Sequence, residues 1–111
     1  MFYRLYTGDD GESHFEELDL EKGPIEWEEI QKATGVGFRK QAPGYFSDWH
    51  HAPRRQYVIT LAGGVQIGLG DGTVKRLGPG DVMLADDLTG RGHTTSVPGT
   101  EQRISVVIPL D

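Results

Sequence analysis

The stretch Gly44-Tyr45-Phe46-Ser47-Asp48-Trp49-His50-His51-Ala52-Pro53-Arg54-Arg55-Gln56-Tyr57-Val58-Ile59-Thr60-Leu61-Ala62-Gly63 decides the fold. Its second half, from Gln56 to Leu61, is rich in β-branched and aromatic residues and stops at Gly63-Gly64, which is how a strand reads. Side chains two apart on a strand share a face. That rule turns His50, Ala52, Gln56 and Val58 toward one interior, and His51 away from it.

The pattern continues on the C-terminal side. Val65-Gln66-Ile67-Gly68-Leu69 alternates and ends at Asp71-Gly72, a dipeptide favoured by two-residue hairpins, and Thr73 to Leu77 returns from it. Gly78-Pro79-Gly80-Asp81 is a turn, followed by a strand from Val82 to Ala85. Two more strands follow, His93 to Val97 and Arg103 to Ile108. On the N-terminal side, residues 3–6 and 14–20 read as strands around the turn Gly8-Asp9-Asp10-Gly11. Residues 24–33 carry Ile25, Trp27 and Ile30 at irregular spacing, which fits a short helix or an extended arm. Sixteen glycines and six prolines punctuate the chain. The sum is eight strands, most of them spaced about 8–12 residues apart, the signature of an all-β sandwich or barrel.

Composition narrows the function. The 111 residues suit one domain, with residues 1–34 as N-terminal strands or arm and 35–111 as the barrel. There is no cysteine, so disulfides, thiolate metal sites and cysteine nucleophiles are excluded. A net charge of −6 argues against nucleic acid, which needs a basic stripe, and Arg54-Arg55 is the only pair of adjacent arginines, too few for such a footprint. No apolar run reaches the roughly 18 residues that span a bilayer. The opening Met1 to Tyr6 lacks the basic region and apolar core of a signal peptide, so a cytoplasmic location with no membrane partner is expected. The acidic residues crowded between 9 and 29 read as a solvated face.

The spacing from Gly44 onward resembles that of the cupin superfamily. The first cupin motif runs glycine, five residues, His, any, His, three or four residues, Glu, six residues, glycine. Gly44, His50 and Gly63 meet it, whereas Ala52 stands for the second histidine and Gln56 for the glutamate. The second motif runs glycine, five residues, Pro, any, Gly, two residues, His, three residues, Asn. Gly80 opens it, Asp86 replaces the proline, two extra residues precede Gly90, His93 falls in place, and Val97 replaces the asparagine. The resemblance implies an all-β, cupin-type double-stranded β-helix, a jelly-roll barrel. It is nearest to small single-domain bacterial cupins with degenerate metal-binding motifs.

The resemblance also implies a site. Family cupins hold manganese, iron, nickel, copper or zinc with three histidines and a glutamate. Here the corresponding ligands are His50, Gln56 and His93, and a divalent transition metal (Mn, Fe, Ni or Zn) is the implied cofactor. Ala52 removes an imidazole, and Gln56 offers a dipole where a carboxylate would neutralise charge, so weaker binding is expected unless His14, His51 or Asp86 supplies a ligand. His50, His93 and Asp86 are the candidate catalytic residues. Asp86 is placed as general base or as the carboxylate orienting His93, against a plain turn role shared with Asp87. Arg54, Trp49 and Thr95 are the candidate substrate contacts. Without a ligand, His50 and His93 would read as hydrogen-bonded interior histidines and Gln56 as a partner for buried backbone. Three functions remain open: a lyase, isomerase or dioxygenase acting on a small polar molecule with a metal or a bare acid–base histidine pair, a metal-free module that binds a small acid or sugar without chemistry, and a mainly structural barrel whose dimer surface is the function. A homodimer is expected, because apolar strands such as residues 103–110 near an edge need covering.

Overall fold

The computed structural model describes residues 1–19, 21 and 27–110. Among the described residues ten strands are present: β1 Phe2–Thr7, β2 Ser13–Leu18, β3 Gly37–Gln41, β4 Phe46–His50, β5 Gln56–Ala62, β6 Val65–Gly68, β7 Val74–Leu77, β8 Val82–Asp86, β9 His93–Ser96 and β10 Arg103–Pro109. They form two sheets, one of six strands in the order β2-β1-β8-β5-β10-β3 and one of four in the order β4-β9-β6-β7. Every strand pair is antiparallel except β1 with β8. The all-β jelly roll expected from the sequence is therefore present. Its two sheets face each other as separate hydrogen-bonded layers. Among the described residues no helix is long and apolar enough to cross a membrane.

Alternation builds the core. Burial on β5 falls on Gln56, Val58 and Thr60, and on β10 on Arg103, Ser105 and Val107, each set two residues apart. Leu5, Val65, Ile67, Leu77, Met83 and Ala85 join Val58 in one apolar cluster between the sheets. Tyr3 and Leu5 belong to that cluster too, because β1 lies inside the large sheet between β2 and β8. The N-terminal strands are thus structural members of the sheet rather than an appended arm.

Three expectations need correction and a fourth is narrowed. The strands number ten among the described residues, because β3 and β4 were not read as strands. Residues 24–26 of the expected helix or extended arm lie outside the described residues, and residues 27–33 form a turn and irregular chain, which removes the helix there and leaves the arm. Between β6 and β7, Leu69 and Thr73 pair and enclose a turn of three residues, 70–72, rather than two. Leu69 N–H donates to the Thr73 carbonyl at 2.8 Å, Gly72 N–H donates to the Leu69 carbonyl at 3.1 Å, and Gly72 takes φ +91°. That is a turn closed by a left-handed glycine bulge, a conformation only glycine adopts cheaply. Finally, β10 is covered on both sides by β5 and β3, so it is not the exposed edge from which a dimer was argued.

Candidate functional site

Between the sheets lies a cavity of about 330 Å³, at the lower end of the range typical for small-molecule pockets. The large sheet lines it with Gln56 and Val58 of β5, Met83 and Ala85 of β8, Arg103 of β10, and Arg39 and Gln41 of β3. The small sheet contributes Ser47 and His50 of β4, His93 and Thr95 of β9, and Ile67 of β6.

His50 and His93 are direct cross-strand partners on β4 and β9. Their ring centroids lie 4.5 Å apart with planes inclined at 58°. The pairing register shifts between Ser47 and His50, and such an irregularity re-aims the side chains beyond it. Gly92 makes the close approach possible. It has φ +82°, and a Cβ there would collide with the backbone carbonyl of His50.

Each imidazole is oriented from behind. His93, 5 % exposed, sets Nδ1 2.6 Å from Oδ2 of Asp87, whose side chain is fully buried. The same carboxylate oxygen accepts from the Ser13 hydroxyl at 2.6 Å. A carboxylate can only accept, so Nδ1 of His93 carries the proton, and in the neutral ring Nε2 keeps its lone pair. Nδ1 of His50 lies 2.7 Å from the Asp48 carbonyl and 3.2 Å from the Ser47 hydroxyl. A carbonyl also only accepts, which fixes the same tautomer. Both rings therefore keep Nε2 as the nitrogen free for a ligand. Gln56, 8 % exposed, brings its amide to the same cavity.

Not all of the sequence-derived candidates converge here. Thr95 lines the cavity with the two histidines. Asp86 does not, and it is not the carboxylate that orients His93. Ala85 faces the cavity, so alternation along β8 sends Asp86 outward and brings Asp87 in. Asp86 instead accepts from Arg4 at 3.0 and 3.2 Å and pairs with Arg55 at 3.5 Å. Trp49 precedes an inward histidine and so faces out, 38 % exposed, with the Arg91 guanidinium 4.0 Å from its ring centre. Arg54 sits in the exposed β4–β5 loop. It lines a neighbouring depression of about 420 Å³, which shares Arg39, Pro53 and Gln56 with the main cavity. His51 reaches the cavity rim despite its exposed position. His14 bonds Asp10 at 3.0 Å on β2, away from the cavity.

Asp87, Ser13, Arg103, Arg39, Gln41, Tyr45 and Ser47 enter the site without having been singled out. A signal existed for two of them. Ala85 inward implies Asp87 inward, and Arg103 is a charged residue at a core-facing position of an otherwise apolar alternating strand.

As a metal centre the donor set is incomplete. Two imidazoles and a neutral amide are present, Ala52 fills the position of a further imidazole, and the nearest carboxylate is occupied behind His93. Among the described residues no three His, Cys, Asp or Glu side chains gather as metal ligands. Catalytic metal sites are commonly held by three protein ligands drawn from imidazole, carboxylate and thiolate, and here the third donor is a neutral amide, a weaker ligand than any of these.

No family model matches the sequence, and no curated protein does. Solved structures do match by shape. A cupin domain from Bordetella pertussis is 17 % identical, with a TM-score of 0.56 over 76 % of this chain and 88 % of that one. A protein with a double-stranded β-helix domain from Klebsiella pneumoniae is 25 % identical, with a TM-score of 0.50 over 79 % and 83 %. The polyketide cyclase RemF from Streptomyces resistomycificus is 18 % identical, with a TM-score of 0.55 over 98 % and 75 %. The chain has the cupin fold.

Proposed function

We propose that this cupin-fold protein binds a small polar molecule between its sheets without needing a tightly held metal, and that His93 takes a proton from the bound molecule. The observation that carries this reading is the pair of imidazoles, His50 and His93, on the cavity wall, with the buried Asp87 carboxylate behind His93. A buried carboxylate behind an imidazole fixes its tautomer and stabilises its protonated form, which is the arrangement of a general base. Proton transfer of this kind suits lyase or isomerase chemistry. One fold neighbour is titled a polyketide cyclase, but a shared fold does not fix an activity.

The metal-assisted version is the second reading. It is favoured by the same Asp87–His93 hydrogen bond, since histidines that ligate metals are commonly oriented by a carboxylate. In that version His50, His93 and Gln56 would hold the ion, which would supply Lewis acidity.

Elemental analysis of protein purified without an affinity tag, combined with thermal unfolding against a panel of small acids, amides and polyols, separates the two. The proposal predicts substoichiometric metal and a ligand that raises the melting temperature by mass action, with the shift lost in His93→Gln. Near-stoichiometric metal, lost in His50→Ala and His93→Ala, would replace it with the metal-assisted reading. No shift with any compound would end both ligand-binding versions.

A further inference from the structure

Arg103 lines the cavity but takes no part in the histidine array. It is 5 % exposed. Nη1 donates to Oε1 of Gln41 at 2.9 Å and Nη2 donates to Oγ1 of Thr60 at 3.3 Å, both neutral acceptors. Its buried Nε–H meets no acceptor among the described residues. No carboxylate forms an ion pair with Arg103 or with Arg39, again among the described residues. Arg39 lies on the adjacent strand, two residues from the Gln41 that pairs with Arg103 in register.

The charge of the cavity is therefore opposite to that of the chain. Two guanidiniums line it and no Asp or Glu does, in a protein of net charge −6. Burial, and then the proximity of Arg39, pulls the Arg103 pKa down from its ordinary value to about 10, so it remains cationic near neutral pH. A buried charge without a countercharge costs stability. A protein with free choice of sequence would fill that position with an apolar side chain, as β10 does at Val107. The guanidinium fork matches a carboxylate in geometry and charge.

We propose that the ligand of this cavity is a small hydroxycarboxylate, its carboxylate held by Arg103 and Arg39 and its hydroxyl donating to the free Nε2 of His93 or His50. The proposal rests on the small-molecule reading above and deepens it. The two ends of the cavity ask for different groups: the guanidiniums of the large sheet are donors only, and the neutral imidazoles of the small sheet offer acceptors. A molecule carrying an anion at one end and a donor at the other satisfies both, whereas a sugar or simple amide leaves the guanidiniums without a countercharge.

Isothermal titration of the full chain at matched ionic strength tests this, with glycolate, lactate and malate as probes against acetate, propionate and succinate, and against lactamide and glycerol. The hydroxycarboxylates are expected to include the tightest binder. Removal of its hydroxyl is expected to weaken binding about tenfold, and conversion to the amide at least as much. Arg103→Gln and Arg39→Gln are each expected to weaken the hydroxycarboxylate about tenfold or more while leaving lactamide unchanged. Arg39 is exposed, so its variant keeps the test valid if Arg103→Gln does not fold. A purely structural Arg103 predicts lower stability with unchanged ligand affinity in any folded Arg103 or Arg39 variant, which would overturn the proposal. Binding of lactamide or glycerol in preference to every acid would also overturn it and leave the small-molecule reading standing. Binding by none of these probes, together with no thermal shift across the wider panel, would remove both.

Discussion

Ser13 shows how much of this site depends on groups that never touch a ligand. Its hydroxyl and His93 share one oxygen of a fully buried carboxylate, while the other oxygen, Oδ1 of Asp87, has no partner among the described residues. Hydrogen bonds to a charged group contribute about 1.5–3 kcal/mol each, so Ser13→Ala is expected to lower unfolding stability by about that amount in a urea titration. A change within error would mean that Asp87 is neutral or solvated. The histidines and Gln56 were legible in the sequence because glycine-to-histidine spacing preserves a motif even where its other ligands are lost. Asp87 was missed for a reason of parity. Asp86 and Asp87 are identical in chemistry and adjacent in sequence, and only the inward placement of Ala85 tells which one faces the site. Arg103 was missed because it lies outside both motifs, and its membership of the cavity is set by pairing with β3 and β5, which sequence spacing does not encode.

At the level of elements, β9 and β4 place the two imidazoles, and Gly92 controls their approach. A methyl group there meets the His50 carbonyl, and φ +82° is itself unfavourable for alanine. Gly92→Ala is expected to cost about 1–3 kcal/mol and to abolish ligand binding. Gly72→Ala, in the distant hairpin, should cost about 1–2 kcal/mol and leave binding intact. Equal affinity in the two variants would show that the β4–β9 contact does not set the site. The strands read most readily were those with one apolar face, β5, β6 and β10. β3 and β4 escaped because their residues are mostly exposed and polar, GFRKQ and FSDWH, so the alternation that marks a half-buried strand is absent. The hairpin at Asp71-Gly72 was placed correctly but given too short a loop. The same dipeptide serves a two-residue turn and the bulged three-residue turn seen here, and only the pairing of Leu69 with Thr73 decides between them.

At the scale of the molecule, one core joins both sheets, and the first strand belongs to it, so the N-terminal strands and the motif-bearing region stand together. The edges of the large sheet are β2 and β3. β3 carries Phe38 at 73 % exposure, and the unpaired backbone of an edge strand with an exposed aromatic offers pairing to another copy. We place the proposed homodimer there rather than at β10. Light scattering at micromolar concentration is expected to give twice the chain mass, reverting to one chain in Phe38→Lys, and a monomeric wild type would exclude the dimer. The all-β sandwich or barrel class was readable from strand spacing and glycine punctuation, and the jelly roll within it from the resemblance carried by the two motifs. The strand partners were not, because long-range pairing such as β1 beside β8 depends on how the sheets twist and meet rather than on any local pattern.

The central claim is that a buried carboxylate sets the tautomer of His93 and leaves its other nitrogen, with that of His50, facing a ligand. Long-range ¹H–¹⁵N NMR of the histidine side chains, recorded above the titration range of free imidazole, reads this directly. The account predicts the proton on Nδ1 of both rings, and movement of at least one Nε2 resonance when the tightest-binding acid of the panel is added. A proton on Nε2 of His93, or a bound ligand that disturbs neither ring, would contradict it.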